Sequence, residues 1–353
     1  MGVNANKSIL GRNERIFLTG HTGFKGTWLT LLLQAMGHEV IGYSLAATPD
    51  SLFMRLGRRG LVNETIADIR DMDTLKKAII SAKPSIVIHM AAQPLVLKSY
   101  KFPRETFEIN AQGTANLLEA AFAVSSVKTI GAVTTDKVYK NLGTNRAYVE
   151  SDPLEGASDP YSASKVAAEA VICGYQKISE SYDGPNIVTL RSGNVIGGGD
   201  FSEDRLIPDL IRCHMAKTPV LVRNPNSTRP WMHVLDSLVG YLQAVESSTN
   251  LNQSNVYNFA PIDLSLTVEE VIAVALETWP EMFTYQFLEK NKKYLEAEKL
   301  NLDSSKARVG LEWNAHWSQR ESVAASIRWW RRVIESETSA KEACHLEIQE
   351  VLG

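Results

Sequence analysis

The chain has 353 residues, 44% of them hydrophobic, which is enough for a large buried core in one elaborate domain or two closely joined ones. The formal net charge of -3 gives no general attraction for nucleic acid or an anionic membrane, so any recognition of phosphate must come from local basic groups. The widely spaced cysteines Cys173, Cys213 and Cys344 argue against a disulfide framework or a zinc site and favour a reducing compartment.

Short β-branched runs alternate with helical patterns from Arg15 onward, after a segment, residues 1–14, that we predict to be flexible. This alternation predicts an α/β fold with a doubly wound parallel sheet and helices on both faces. The start has no signal-like apolar run, and no stretch reaches the roughly eighteen apolar residues of a membrane span, so we predict a cytoplasmic protein. The predicted strands lie at residues 15–19, 39–44, 64–67, 85–90, 128–135 and 186–191.

The pattern becomes less regular after Arg191, where a glycine cluster and a Pro/Asn-rich stretch follow. We predict that a smaller C-terminal substrate-binding lobe begins here. Amphipathic segments at 234–245 and 266–279 flank a strand-like run at 256–260. The charged tail, residues 336–353, is expected to be an exposed helix or partly disordered. The predicted dinucleotide-binding domain comprises residues 15–192 and 234–262, and the lobe comprises residues 193–233 and 263–335.

A glycine-rich turn joins the first predicted strand to a helical pattern at residues 27–36. Gly20, Gly23 and Gly26 have the spacing Gly-x-x-Gly-x-x-Gly, with Phe24 in the same turn. Glycine permits a tight turn and a close approach of the backbone, so a pyrophosphate can sit on the helix N-terminus and accept its unpaired N–H groups. The turn therefore predicts a dinucleotide site.

Two features of this site leave alternatives open. His21 and Lys25 lie either near the phosphates or on the solvated side of the turn. The second strand ends in Gly42-Tyr43-Ser44, which offers neither the carboxylate that usually holds the ribose of NAD nor an arginine for the phosphate of NADP. We favour NAD as the cofactor.

A second group of polar residues follows the fifth predicted strand. Tyr161 and Lys165 are spaced four apart at the start of a helical pattern, which puts them on one face of the helix. There the ammonium can lower the pKa of the phenol, so that Tyr161 acts as a base at neutral pH. Thr135, Asp136 and Lys137 stand at the end of the strand itself. The alternative is an ordinary surface pair of tyrosine and lysine.

In this order the motifs resemble those of extended short-chain dehydrogenases/reductases, which have a Rossmann-like fold. His89-Met90-Ala91-Ala92-Gln93 is similar to the family's His-x-Ala-Ala segment, and Asn110-Ala111-Gln112-Gly113-Thr114 to its Asn-x-x-Gly-Thr helix. The resemblance implies a cofactor site that adds seven residues to the glycine turn: Asp68, Ile69, Ala91, Ala92, Asn110, Tyr161 and Lys165.

The runs GNVIGGGD, EDRLIPDLIR and RPWMHVL, together with GHTGFKG, resemble CDP-glucose 4,6-dehydratases more closely than thymidine- or GDP-linked relatives. The dipeptide Asp136-Lys137 is similar to that of CDP-glucose 4,6-dehydratases and of some UDP-N-acetylglucosamine dehydratases. The resemblance extends from about Arg15 to Trp313. It implies NAD as a bound cofactor, CDP-glucose as the favoured sugar-nucleotide substrate, no metal, a homodimer, and a place in deoxysugar or O-antigen biosynthesis. The implied substrate contacts are Gln93, Asn194, Arg205, Arg229 and His233.

The resemblance also implies a mechanism. Tyr161 takes the proton of the 4-hydroxyl while hydride passes to NAD, and Thr135 hydrogen-bonds the same sugar oxygen beside Tyr161. Lys137 then removes the C5 proton, or only orients Asp136, and Asp136 protonates the departing 6-hydroxyl. A C4-epimerase or reductase of this fold, a dehydratase for a UDP-, dTDP- or GDP-linked sugar, and a non-catalytic dinucleotide-binding protein are the alternatives.

Overall fold

The computed structural model describes residues 10–11, 13–57, 61–143, 146–156, 159–222, 224–251, 253–263, 265–287 and 301–353. The predicted flexible segment 1–14 lies largely outside this part of the chain. The strands are β1 (Arg15–Thr19), β2 (Glu39–Ser44), β3 (Asn63–Ile66), β4 (Ile86–His89), β5 (Thr129–Val133), β6 (Asn186–Ser192), β7 (Asn194–Ile196), β8 (Val220–Val222), β9 (Thr228–Arg229), β10 (Trp231–His233), β11 (Asn255–Phe259), β12 (Leu266–Thr267) and β13 (Tyr285–Phe287).

The helices enclose the strands. They are α1 (Phe24–Ala35), α2 (Leu52–Arg55), α3 (Met72–Ala82), α4 (Val96–Lys101), α5 (Pro103–Phe107), α6 (Gly113–Phe122), α7 (Pro160–Tyr182), α8 (Leu206–Ala216), α9 (Val234–Leu251), α10 (Val268–Thr278), α11 (Ser305–Leu311), α12 (Gln319–Ile334) and α13 (Ala340–Leu352). A π-helical segment, Glu108–Gln112, lies between α5 and α6, and a 3-10 turn, Asp136–Val138, follows β5. None of the described helices combines the length and apolar character needed to cross a bilayer.

Seven parallel strands form the central sheet in the order β11-β6-β5-β4-β1-β2-β3. The chain builds outward from β1 in one direction and from β4 in the other, so the order reverses between these two strands. In such sheets the ligand crevice lies outside the carboxyl ends of the strands at the reversal. The predicted doubly wound parallel sheet is confirmed, and β4 and β5 are fully buried, as their apolar runs require.

The predicted strand bounds agree with the structure to within a few residues. β1 and β2 begin and end where predicted, whereas β5 stops at Val133 although the predicted strand continued to Thr135. Thr134 still donates its backbone N–H to the carbonyl of Leu190, and the chain then turns into the 3-10 segment. This turn places Thr135 and Asp136 at the carboxyl edge of the sheet.

The C-terminal region continues the same hydrophobic core. Trp231 of β10 and both Trp329 and Trp330 of α12 pack in one cluster with Leu18 of β1 and Trp28 of α1. The region's strands form two-stranded pairs, β7 with β10, β9 with β12 and β8 with β13. The boundaries of the two domains stay a prediction.

The tail differs from what its charge suggested. α13 is a well-formed helix that begins at the N-cap Ser339, whose side chain accepts a hydrogen bond from the N–H of Glu342. Cys344, Ile348 and Val351 are buried and belong to the main core, with the helix packed against α1 and α12. The apolar residues are spaced at helical intervals, and this stripe was hidden by the charged residues between them.

Candidate active site

The glycine turn after β1 has a geometry that side chains would destroy. Gly20 has φ +79°, and a Cβ there would lie 2.8 Å from the backbone nitrogen of Ala91. A Cβ on Gly26 would lie 2.0 Å from the carbonyl oxygen of Gly20. Gly23 caps α1 without a side-chain hydrogen bond, so the first amides of the helix keep their donors for a ligand. The turn fits a dinucleotide diphosphate.

His21 does not face this cradle with its side chain. Its ring is fully buried, with Nε2 2.8 Å from Oε2 of Glu64 on β3 and with Phe53 at a ring distance of 5.4 Å. A Cβ on Gly42 would lie 2.6 Å from the His21 ring, so Gly42 makes room for the imidazole. The expectation that His21 lies near the phosphates or in solvent is therefore not supported.

Lys25 also differs from both sequence-based interpretations. Its Nζ turns away from the solvated face and donates to Oη of Tyr241 on α9, at 3.2 Å. Tyr241 is fully buried, and its hydroxyl lies 2.5 Å from Oγ of Ser192 at the carboxyl end of β6. Lys25 thus reaches the carboxyl edge of the sheet.

The residues expected on the adenine side lie between β3 and α3. Ile69 is buried against Gly113, where a Cβ would meet its side chain at 2.7 Å. The Asp68 carboxylate accepts hydrogen bonds from Arg70, which hold its pKa below the ordinary value. The backbone oxygen of Asp68 accepts from Oη of Tyr43 at 2.8 Å. Both the carboxylate and the carbonyl oxygen of Asp68 thus already have partners within the protein.

Asn110 joins three parts of the site from within the π-helical segment. Its Oδ1 accepts from the N–H of Gln93, and its Nδ2 donates to Oγ of Ser164 at 2.9 Å. It thus fixes the segment of Ala91 and Ala92 against α7, and local π-helical geometry is frequent at functional sites. The Gln93 side chain is occupied by Leu95 and Thr106, so its expected contact with substrate is not supported.

Tyr161 and Lys165 lie on the first turns of α7, and both are buried. The helix begins at Asp159, whose carboxylate accepts from the N–H of Ser162. Thr135 hydrogen-bonds Tyr161 and donates to Oδ1 of Asp136 at 3.0 Å. Lys165 donates from Nζ to the carbonyl oxygen of Val133 at 3.4 Å. The tyrosine, threonine and aspartate thus meet where β5 ends.

Burial dominates the electrostatics of this cluster. It raises the pKa of Tyr161 to about 12, although the Thr135 hydrogen bond and the charge of Arg205 act in the opposite direction. The net shift is therefore opposite to the lowering expected from Lys165. Burial and the charge of Lys25 lower the pKa of Lys165 to about 8. Burial also raises the pKa of Asp136, which favours its protonated form, while the charge of Lys137 opposes this rise.

Two of the expected substrate contacts lie at the same edge. Arg229 of β9 is near enough to Asp136 to lower its pKa. The charge of Arg205 likewise lowers the pKa of Tyr161 and that of Lys25. Arg205 also lies 3.6 Å from the carboxylate of Asp200.

Asn194 and His233 have different surroundings. Asn194 is half-buried on β7, opposite Trp231 of β10. His233 is fully buried, with its ring 4.1 Å from that of Trp317 and its Nε2 3.3 Å from Oε2 of Glu347 on α13. A side chain enclosed in the core cannot contact substrate, so that expectation for His233 is not supported.

Sequence reasoning did not identify Glu169 or Tyr241. Glu169 lies one helical turn after Lys165, at the spacing that places two residues on one helix face, and this signal was available. Its carboxylate forms a buried ion pair with Arg191 and accepts from Thr134 Oγ1 at 2.7 Å. Tyr241 stands 216 residues from Lys25, and no local pattern marks it. Within the described residues no group of three or more His, Cys, Asp or Glu could hold a metal ion.

Comparison with known proteins agrees with this geometry. The profile of the NAD dependent epimerase/dehydratase family matches residues 16–260. The chain is 39% identical to CDP-glucose 4,6-dehydratase of Salmonella typhimurium over 92% of this chain and 93% of the relative. It is 26% identical to a probable dTDP-glucose 4,6-dehydratase of Sinorhizobium fredii over 90% and 92%. The fold matches UDP-glucose-4-epimerase of Stenotrophomonas maltophila, solved with NAD, at a TM-score of 0.79 and 21% identity over 92% and 100%.

Proposed function

Because the chain belongs to the NAD dependent epimerase/dehydratase family, we propose that it is a sugar-nucleotide 4,6-dehydratase. Its substrate is CDP-glucose and its product CDP-4-keto-6-deoxyglucose. NAD, when bound, would supply an acceptor for the hydride of C4 and a donor of hydride to C6, so that none would be consumed overall. The support for CDP as the nucleotide is the 39% identity to the Salmonella typhimurium enzyme.

The observation that carries the proposal is the buried carboxyl of Asp136 beside Tyr161 and Lys137. Epimerisation at C4 needs only the base that handles the 4-hydroxyl. Loss of water across C5 and C6 needs an additional base for the C5 proton and an acid for the 6-hydroxyl. Burial raises the pKa of Asp136, so that its carboxyl holds a proton more readily than an exposed aspartate. Such a group is suited to protonating a leaving hydroxyl.

Each catalytic residue has a defined task in this mechanism. Tyr161 removes the proton of the 4-hydroxyl, and Thr135 hydrogen-bonds the same oxygen. Since the pKa of Tyr161 is raised to about 12, mainly by burial, the phenolate needs neighbouring positive charge. Lys165 and Arg205 supply it. Lys137 removes the C5 proton or orients Asp136, which donates its proton to the 6-hydroxyl as water leaves.

The remaining predicted residues bind and orient. Gly20, Gly23 and Gly26 admit the NAD diphosphate to the uncapped N-terminus of α1. Asn194, Arg205 and Arg229 hold the diphosphate of the sugar nucleotide, and a guanidinium suits this through paired hydrogen bonds.

We further propose a cytoplasmic homodimer that associates through α6 and α7. Ile178 and Tyr182 of α7 expose apolar surface that an interface would cover. Light scattering coupled to size-exclusion chromatography would report twice the chain mass. A monomer at all concentrations would contradict the proposed dimer.

Turnover of CDP-glucose by the purified protein with NAD tests the function. We expect a 4-keto-6-deoxy sugar nucleotide, detected by its alkali-dependent absorbance. Parallel reactions with UDP-, dTDP- and GDP-glucose test the base. Release of a C4 epimer would favour the epimerase alternative, and an unchanged sugar would favour a non-catalytic binding protein.

A further inference from the structure

Lys25 brings a positive charge from the cofactor turn into the catalytic end of the cleft. Its only hydrogen-bond partner among the described residues is the neutral hydroxyl of Tyr241, and its Nζ also lies 5.3 Å from the centre of that ring. Tyr241 is in turn held by Ser192 at the end of β6. Lys25, on the first turn of α1, is therefore held by α9 at the carboxyl edge of the sheet.

The first turns of α1 are anchored to the substrate side around this lysine. Trp28 donates from Nε1 to the carbonyl oxygen of Gly198 at 2.9 Å. A Cβ on Gly197 would lie 3.2 Å from the Phe24 ring, so this glycine packs directly on the helix start. Lys25 stands between Phe24 and Trp28 in the chain, and its position is thus set by contacts on both sides.

Positive charges are crowded here. Lys25 acts electrostatically on Lys165 of α7, and Arg205, ahead of α8, acts on Lys25. The facing acid is Asp136 of the 3-10 turn, whose burial favours its neutral form. Tyr241 of α9 contributes a hydroxyl that stays neutral, because burial raises its pKa well above the ordinary value for tyrosine. Lys165 itself donates, among the residues that the structure describes, only to the backbone carbonyl of Val133.

We propose that Lys25 is a charge-balancing residue of this centre, which gives up its proton when the oxidised nicotinamide ring adds another positive charge and recovers it when the ring is neutral. The inference rests on the proposed function, in which the nicotinamide lies at the end of the cleft that Tyr161 and Lys165 occupy. Lys25 loses an N–H proton to solvent in the first state and takes one from solvent in the second. Its nitrogen undergoes no oxidation or reduction.

Lys25 is suited to this task because its proton is weakly held. Burial, followed by the charge of Arg205, lowers its pKa to about 7, whereas the charge of Asp136 raises it. A cation added within roughly 6 Å at an effective dielectric constant of about 20 would move the titration midpoint of Lys25 downward by more than about one pH unit. The diphosphate of NAD is present in both redox forms, so the effect of its negative charge on Lys25 cancels when the two complexes are compared.

The test is a titration of Lys25 by nuclear magnetic resonance, with lysine labelled at Cε with carbon-13. The full-length protein is studied with saturating oxidised NAD and, separately, with saturating reduced NAD. The Lys25 signal is the one that disappears in Lys25→Arg, a variant that keeps the charge and cannot lose its proton. Lys76→Met, on the exposed face of α3, is the matched control and should leave the Lys25 titration unchanged.

We expect the midpoint of Lys25 to be lower by about one pH unit or more in the oxidised complex. Equal midpoints in the two complexes, with dehydratase turnover intact, would overturn this inference alone. A difference that appears in Lys165 and not in Lys25 would also overturn it. If neither form of NAD binds, both this inference and the proposed function fail.

Discussion

Glu169 and Arg191 form a buried ion pair directly behind the catalytic strand end, with the Glu169 carboxylate also accepting a hydrogen bond from Thr134. Arg191 extends the network through Nη1, which donates to Oη of Tyr139 at 2.7 Å. The pair thus connects α7 to β6 and to the residue before Thr135. It thus stabilises the strand end that leads to Thr135 and Asp136.

Glu169→Gln should destabilise the protein by about 3 kcal/mol, because it leaves the Arg191 guanidinium buried without its countercharge. Urea denaturation gives the free energy of unfolding. Glu180→Gln is the matched control, since its pair with Lys177 is exposed and its loss should cost less than about 0.5 kcal/mol. Equal losses in the free energy of unfolding for the two substitutions would show that the buried pair stabilises the protein no more than the exposed pair does.

Gly26→Ala should abolish NAD binding, because the new Cβ would fall on the carbonyl oxygen of Gly20 and open the turn. Gly310→Ala, on the exposed face of α11, is the control, because its added Cβ would come no closer than 4.0 Å to Cε1 of Tyr257. It should bind NAD normally and gain about 0.5–1 kcal/mol in the free energy of unfolding. Calorimetric titration with NAD measures the binding. Normal affinity in Gly26→Ala would contradict the phosphate cradle.

Lys137→Ala should stop the loss of water while leaving C4 oxidation intact, because Lys137 removes the C5 proton or orients the acid Asp136, and C4 oxidation needs neither. Reduced cofactor should then accumulate transiently after CDP-glucose is mixed with the enzyme, as recorded by stopped-flow absorbance. Lys140→Ala removes an exposed lysine of the same loop and should turn over like the unmodified enzyme. Full dehydratase turnover in Lys137→Ala would remove Lys137 from proton transfer.

Asp236 predicts a pH dependence of stability. Burial raises its pKa from 3.8 to about 6, with the charge of His233 opposing the rise. The folded protein therefore binds more protons at this site than the unfolded chain, so the free energy of unfolding falls as pH rises from about 4 to 6 and is level above.

The variant Asp236→Asn has no ionisable side chain at this position, so its free energy of unfolding should lack this decrease with pH. Relative to the unmodified protein, its free energy of unfolding should rise by about 3 kcal/mol between pH values of about 4 and 7. Urea denaturation at the two pH values measures the change. A constant difference between the two proteins would mean that Asp236 does not titrate in this range.

The sheet could be predicted because each strand that is buried on both faces is a continuous apolar run, and glycine and charged residues separate one run from the next. Residue spacing also predicted the cradle, since Gly20, Gly23 and Gly26 act through local backbone geometry. Position in a motif was the reason for assigning His21, Gln93 and His233 to the site. In the structure their side chains are buried and contact residues outside the motif, which the motif alone does not reveal.

Contacts between distant segments explain what sequence reasoning missed. Lys25 and Tyr241 meet only because α1 and α9 pack on the same side of the sheet, and neither segment carries a local sign of it. The pKa of Tyr161 rises because folding buries it, an effect that the spacing of Tyr161 and Lys165 could not reveal.

The central claim is that hydride leaves C4 of the sugar and returns to C6 of the same molecule. CDP-glucose carrying deuterium at C4 tests it directly, with the position of the label in the product determined by nuclear magnetic resonance. The mechanism predicts that the deuterium appears at C6 of a 4-keto-6-deoxy sugar. Deuterium that remains at C4 of an epimerised or unchanged sugar would contradict it.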